Sequence, residues 1–395
     1  MTVSDQRRLV VHLVQQLDVG GLETGLINLI SHMPADRYRH AIVCLKDYSA
    51  YHAHIQSRGV EIISLNKREG KDFGHYLRMF RTLRALQPDL IHTRNLTGIE
   101  AQFVAALAGV KLRVHGEHGR DMSDLYGKRL KYQLLRRMLR PFIGHFIAVS
   151  SDLEQWLIDS VGAEPDRVSQ ISNGVDSVQF HPRLGPPAAV GPAGFMQDNA
   201  FVIGSVGRMD EVKDYPTLVE AFLRLVASPH PAHQRMRLLI VGDGPQRAVC
   251  LDMLERGGAA QRAWLPGERT DIAQMLRAMD LFVLPSLAEG SSNTILEAMA
   301  TGLPVVATAV GGNTAMVHPG FTGILVPPRS PDLMAAAIAD YCRIPEMGIR
   351  HGMRARTQVI ARYSLPEMAR GYTAVYDALT LRQSPCQGGQ VRPAD

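Results

Sequence analysis

Two segments combine side chains able to hold a phosphorylated sugar. The longer is residues 285–308, PSLAEGSSNTILEAMATGLPVVAT. Its small residues Gly290, Ser291 and Ser292 let a ligand approach the backbone. A helix is expected from Thr294 to Thr301, with Asn293 as N-cap, Gly302 closing it and Pro304 just beyond. Amides at the start of such a helix carry partial positive charge suited to phosphate. Glu289 precedes the helix and Glu297 is expected in its first turn, so both carboxylates can face one site. A carboxylate accepts hydrogen bonds from vicinal sugar or ribose hydroxyls. The plain alternative makes Glu289 a solvated loop residue and Glu297 a helix-surface one favoured by the dipole. The rest of the segment argues against it.

The second segment, residues 202–217, reads VIGSVGRMDEVKDYPT. A strand runs into Gly207-Arg208, and Lys213 follows on the loop before a helix. Two cations at a strand's carboxyl end can clamp a diphosphate and stabilise its charge as it leaves. By themselves they would pass for ordinary surface charges. Gly20-Gly21, between a first strand and a helix starting near Leu22 or Glu23, permits close approach of a substrate, although such a turn can be purely structural. The spacing in GGLETG is not GxGxxG, so a dinucleotide oxidoreductase loses its main support. His118, in VHGEHGRD at a strand end, could donate to a sugar hydroxyl or stabilise developing charge, with His115 and His92 as competitors.

Elements that must position these residues are legible as short apolar runs alternating with longer periodic stretches, the pattern of parallel βαβ units. LVVHLVQQL, HAIVCL, VEIISL, DLIHT, LRVHGEH and HFIAVSS are strands of one doubly wound domain over residues 1–182. Four prolines and three glycines within 181–198 mark a linker, placed at 183–198. FVIGSVGR, RLLIVGDG, AWLPG, LFVLPS, LPVVAT and GILVPP build a second domain over 199–364. A helix at 365–382 is expected to pack back across both domains, and 383–395 reads as a frayed tail. Two such sheets put the ligand-binding ends of their strands on either side of a cleft, which predicts a bisubstrate enzyme.

Composition agrees. The chain has 395 residues, 46% apolar and 21% charged, long enough for two domains and unlike a fibrous or disordered protein. Cys44, Cys250, Cys342 and Cys386 are scattered, so a disulfide scaffold or a cysteine metal site is not expected, and a reducing cytoplasm fits. The first residues read as a strand rather than a signal peptide, and no run reaches the roughly 18 apolar residues of a membrane span. Net charge is +5, and residues 111–145 hold nine basic side chains against three acidic ones. An anionic partner is implied: phosphate, acidic lipid or nucleic acid. Nucleic acid is disfavoured because aromatics are not interleaved with the cations and no binding motif appears.

The frame EGSSNTILEAMATGLPVVAT, with Glu289 and Glu297 in E-x7-E spacing, resembles the signature of the retaining glycosyltransferases of family 4. Matches in the same order are Gly20-Gly21, His118, NGVD at 173–176, VGR with Lys213, VGDGP at 241–245 and LPG with Arg269. The resemblance implies a GT-B fold, with a nucleotide-sugar donor held mostly by the second domain. Glu297 is then implied to hold the donor ribose and Glu289 the transferred sugar. Arg208 and Lys213 would bind the diphosphate, aided by backbone around Ser291, Ser292, Asn293 and Thr294. Gly207, Gly242, Arg269 and Gly290 would complete the donor side. His118 would face the sugar from the first domain, and Gly20-Gly21 would approach phosphate or acceptor. His118, Arg208, Lys213 and Glu289 are the implied catalytic group. No metal or other cofactor is implied, in keeping with the lack of a DxD triplet. Retention without an enzymic nucleophile implies front-face attack, with catalysis resting on positioning and leaving-group stabilisation.

Within the family, IHTRNLTG and EHGRD look most like sugar transferases of bacterial exopolysaccharide systems, including those that accompany exosortase-type sorting. That implies an acceptor on a glycan or polyprenyl-diphosphate carrier and a cytoplasmic enzyme, peripheral at the inner face of the plasma membrane. Residues 127–147 fit this: Leu130, Leu134, Leu135, Met138 and Leu139 recur beside Lys128, Lys131, Arg136, Arg137 and Arg140. A helix lying on an anionic membrane surface has this pattern, and so does a core helix with a solvated face. The competing functions are a nucleotide-sugar epimerase of the same shape, which needs an acid/base pair not evident here, and a silent sugar-nucleotide binder, which should have lost one of the four charged site residues.

Overall fold

The computed structural model describes residues 5–17, 21–48, 59–119, 124, 127–186, 190–196 and 199–382. Among them the apolar runs form two parallel sheets. The first comprises β1 (Arg8–Val14), β2 (Tyr38–Cys44), β3 (Glu61–Ser64), β4 (Leu90–Arg94), β5 (Leu112–Glu117), β6 (His145–Ala148) and β7 (Val168–Gln170), in the order β3-β2-β1-β4-β5-β6-β7. The second comprises β8 (Phe201–Val206), β9 (Met236–Val241), β10 (Ala263–Gly267), β11 (Leu281–Leu284), β12 (Val305–Thr308) and β13 (Gly323–Val326), in the order β10-β9-β8-β11-β12-β13. All pairings are parallel, and the order in which strands are added switches sides between β1 and β4 and between β8 and β11, the points where crevices form at the carboxyl ends of such sheets. Central strands β9, β11 and β12 are buried along their whole length, as parallel strands covered by helices on both faces must be. The α/β architecture is the expected one: two Rossmann-like domains and a returning helix.

That helix, Leu365–Leu381, places Met368, Tyr372, Val375 and Tyr376 among Val10, Leu29, Leu90 and Leu112 of the first domain. Asp377 pairs with Arg37 on the same face. The elements not anticipated include one strand and two long helices. Strand β7 is only three residues long, and its VSQ carries no alternation. Helices Pro331–Arg343 and Pro345–Arg362 extend the second domain. The latter buries only His351, Gly352, Ala355 and Val359, too sparse a stripe to stand out among its arginines.

The chain between the sheets is seated rather than free where it is described. Val190 and Phe195 lie in the second core with Val202 and Phe282, and so do Val175 and Phe180, which precede residue 182. Apolar side chains that follow the last strand of one domain are thus covered by the next. Residues 187–189 and 197–198 of the linker, and the tail from 383, lie outside the described residues.

Candidate functional site

The two charged segments of the second domain meet at one oxygen. Strand β11 ends at Leu284, and Ser286, next on the loop, donates its hydroxyl to Glu289 Oε1 at 2.6 Å. Lys213, on a short turn after β8, donates Nζ to the same oxygen at 2.6 Å. Both side chains are mostly shielded from solvent, so the attraction is little screened. Arg208 is placed differently from the expected clamp. Its side chain is 79% exposed and pairs with Asp210 at 2.6 Å. An exposed pair of that kind contributes little and leaves the guanidinium free to turn toward an anion.

The helix at this loop spans Asn293–Ala300, and its N-cap is Ser292, not Asn293: the Ser292 hydroxyl accepts from the Ile295 amide at 3.4 Å. Because the helix starts one residue early, Glu297 stands in its second turn rather than its first. Burial alone pushes the Glu297 carboxyl up to about 8. The hydroxyl of Ser291 is buried and without a partner among the described residues. Thr294 lies 3.2 Å from the Ser292 hydroxyl. Gly207 and Gly242 join neighbouring strand ends, Gly207 N donating to Val241 O at 3.0 Å and Gly242 N to Gly267 O at 2.9 Å. Arg269 follows the edge strand β10, paired with Asp271 at 2.7 Å and 5.9 Å from the Trp264 ring, two strands removed from β8.

Freed from capping, Asn293 reaches across the cleft. Its side-chain amide donates to Gly21 O at 3.1 Å, and Asn173 donates to Asn293 Oδ1 at 2.8 Å and to Ser291 O at 3.3 Å. Gly21 opens the helix Gly21–His32; Gly20 lies outside the described residues. The domains also come into close contact where Gly290 faces His118. A Cβ on Gly290 would lie 2.5 Å from His118 O and 2.8 Å from the Gly119 α-carbon, so any larger residue would force the cleft apart. The His118 amide donates to Asn95 Oδ1 at 2.8 Å, and its Nε2 is buried with no partner among the described residues. Burial and the nearby Arg94 charge push its pKa down to about 3, so it stands in the cleft as a neutral imidazole.

The competing histidines lie deeper. Gln102 donates to Thr93 Oγ1 at 2.7 Å, so the Thr93 hydroxyl donates to His115 Nδ1 at 2.7 Å, and His115 Nε2–H points to Glu117 Oε1 at 3.3 Å. Arg136 closes this chain with two bonds to Glu117, at 2.6 and 3.2 Å. Burial works to raise the Glu117 pKa, but Arg136 and His115 outweigh it and hold the carboxyl at about 2. Arg136 had been counted among solvated cations of residues 127–147; it is buried because Glu117 needs a counter-charge. The helix there, Leu130–Leu139, turns Leu135 and Leu139 toward Phe146 and Leu157. It leaves Leu130, Leu134 and Met138 exposed at 77%, 58% and 65%. No helix among the described residues is long and apolar enough to cross a membrane, and none of their His, Cys, Asp and Glu side chains group to hold a metal ion.

Sequence reasoning had given Asn173 no role, and missed Gly312, whose amide supports the loop through Glu289 O at 3.2 Å. The NG pair at 173–174 and the GG pair at 311–312 were the available signals.

With this geometry in view, similarity to known proteins is informative. The family description "Glycosyltransferase Family 4" matches residues 19–179, and "Glycosyl transferases group 1" matches residues 200–343. An Escherichia coli UDP-Gal:alpha-D-GlcNAc-diphosphoundecaprenol alpha-1,3-galactosyltransferase is 30% identical over 263 residues, 65% of this chain and 67% of that one. A lipopolysaccharide core biosynthesis mannosyltransferase of Rhizobium leguminosarum is 30% identical over 241 residues, 57% and 67% of the two chains. In structure, a glycosyltransferase from Rickettsia africae superposes with a TM-score of 0.80 at 21% identity, covering 96% of this chain and all of that one. The Anabaena protein HepE, solved with UDP and glucose, gives 0.77 at 20% identity over 93% and 99%. The fold is GT-B, and the chain belongs to the family 4 glycosyltransferases.

Proposed function

We propose that this glycosyltransferase moves a sugar, with retention, from a nucleoside diphosphate sugar to an acceptor on a polyprenyl diphosphate, in the assembly of an exopolysaccharide or other surface polysaccharide. The observation that carries this reading is the convergence of Lys213, Glu289 and the Ser291–Asn293 backbone on the point where Gly290 meets His118. Lys213 and the turning Arg208 would stabilise the departing diphosphate, Glu289 would hold sugar hydroxyls, and Glu297 the ribose. These groups supply the charge for leaving-group departure without a metal. The acceptor class is supported by the relative whose name specifies a diphosphoundecaprenol acceptor.

Membrane contact through the Leu130–Leu139 helix belongs to the same reading. Its exposed Leu130, Leu134 and Met138 are flanked by exposed Lys128, Lys131 and Arg137, the arrangement that inserts apolar side chains at an anionic lipid surface. Sedimentation with acidic-lipid liposomes at low salt is expected; absence of binding removes this part alone.

The main test is transfer from a panel of UDP-, GDP- and ADP-sugars to extracted lipid carriers, with the product anomer read by NMR and chelator present in a parallel arm. A retained anomer formed equally in chelator is expected. Arg208→Ala should collapse turnover in a folded protein; near-normal transfer by that variant would sink the assignment.

A further inference from the structure

Arg94 is the most unusual charge in the molecule. It ends β4, is 3% exposed, and forms no ion pair with any described residue. Its Nη2 donates to His12 Nδ1 at 3.2 Å, and its Nη1 lies 3.5 Å from His92 O, a marginal contact. Because arginine only donates, His12 is fixed as the neutral tautomer with its proton on Nε2, directed at His40 Nδ1 3.0 Å away. The row therefore gives Arg94 a dipole but no countercharge. Tyr376, Tyr372 and Glu23, the last in the first turn of the Gly21–His32 helix, lend it only a through-space attraction. A buried guanidinium in that position is costly for folding unless it serves an anion.

What faces Arg94 points the same way. Its register partner on β5 is Gly116, and a Cβ there would lie 2.8 Å from His118 Nε2 and 3.0 Å from His92 Nε2. Both nitrogens are buried and without a partner among the described residues. The missing side chain thus lets two unpartnered imidazole nitrogens close against β5 beside one buried cation. This cluster adjoins the cleft, since His118 O is the atom that meets Gly290.

We propose that Arg94, with Nε2 of His92 and His118, binds the phosphoryl group through which the acceptor sugar is attached to its carrier. The inference rests on the reading of the chain as a transferase with a carrier-linked acceptor. A planar guanidinium matches phosphoryl oxygens in pairs, and the imidazoles add hydrogen bonds without a second charge. Placing the acceptor's phosphate here would set its sugar above His118, toward the donor loop.

Isothermal titration of the full chain with farnesyl diphosphate, in the presence of saturating nucleotide, tests this. Wild type is expected to bind farnesyl diphosphate at least tenfold more tightly than farnesol. Arg94→Gln should lose that preference while keeping nucleotide affinity within twofold. Its Tm should hold or rise, because an uncompensated buried charge has been removed. Gly116→Ala, whose methyl would displace both imidazoles while leaving Arg94 in place, should also weaken farnesyl diphosphate binding. Unchanged binding by both variants overturns the proposal, and so does a wild type that binds nucleotide but no farnesyl diphosphate. Loss of nucleotide affinity in Arg94→Gln overturns it too, by assigning the site to the donor, and a fallen Tm with intact binding marks Arg94 as structural. If no nucleotide binds wild type, the functional reading fails separately, while Arg94-dependent farnesyl diphosphate binding would still uphold the site.

Discussion

The two sheets share a topology but not an interior. In the second domain the strands β9, β11 and β12 are apolar apart from Arg237 and Thr308, and the candidate chemistry stands on loops beyond the strand ends: Lys213, Glu289, Ser292. In the first domain His12, His92, Arg94, His115 and Glu117 lie in the strands themselves, and all are buried. Loop groups can change partners at small cost, which suits a site that must grip and release a donor. Groups inside a sheet must be satisfied where they stand, so their removal should be felt in stability before turnover.

The sharpest break of that contrast is Glu117→Gln, which leaves Arg136 buried without its carboxylate. A loss of about 3–5 kcal/mol is expected, read by urea denaturation at pH 7. The folded pKa of Glu117, about 2, lies below the ordinary carboxylate value, so its contribution is complete above roughly pH 4.5 and is lost as pH falls toward 2. The gap between variant and wild type should therefore narrow in acid. A variant as stable as wild type at pH 7 would remove the distinction between the sheets.

Lys213→Ala is the counterpart on the second sheet. Glu289 keeps its bond from Ser286 and Lys213 is partly exposed, so the fold should lose about 1–2 kcal/mol, less than Glu117→Gln. Sugar transfer should fall by about 10²–10³, most of it in kcat, if the lost charge acts on the leaving diphosphate as proposed. A variant that unfolds more readily while transferring sugar normally would reverse the comparison.

How much of this could be read from the chain follows the same division. The sheets were legible because buried parallel strands are continuous apolar runs, and the donor loop because its residues are consecutive. The first-domain network was not. His12, His92 and His115 show as polar letters inside apolar runs, yet Glu117 and Arg136 are joined only by folding and nothing local marks them as partners. Arg136 even lies on the helical face that looks solvated in a one-dimensional reading. Ser292 and Asn293 are both good caps, and the chain alone does not choose between them. The choice is made by Gly21 and Asn173, which engage Asn293 from the other domain.

The smallest expected effect concerns Glu297, the one candidate donor residue that is ruled by burial rather than by a partner. No charged neighbour contributes to its shift, so at neutral pH the carboxyl holds its proton most of the time. Ribose hydroxyls donate best to the ionised form, and binding must then release that proton. Nucleotide affinity should rise with pH through the range 6 to 8, by up to about tenfold per pH unit below the pKa, and level off above it. Calorimetry in buffers of different ionisation enthalpy would count the proton directly. Glu297→Gln should flatten the profile and remove the proton release, with weaker binding at pH 8 than wild type. A wild-type profile already flat would mean that Glu297 meets the donor as a neutral acid or does not meet it at all, and the second domain would then share the first one's habit of burying polar groups for structure.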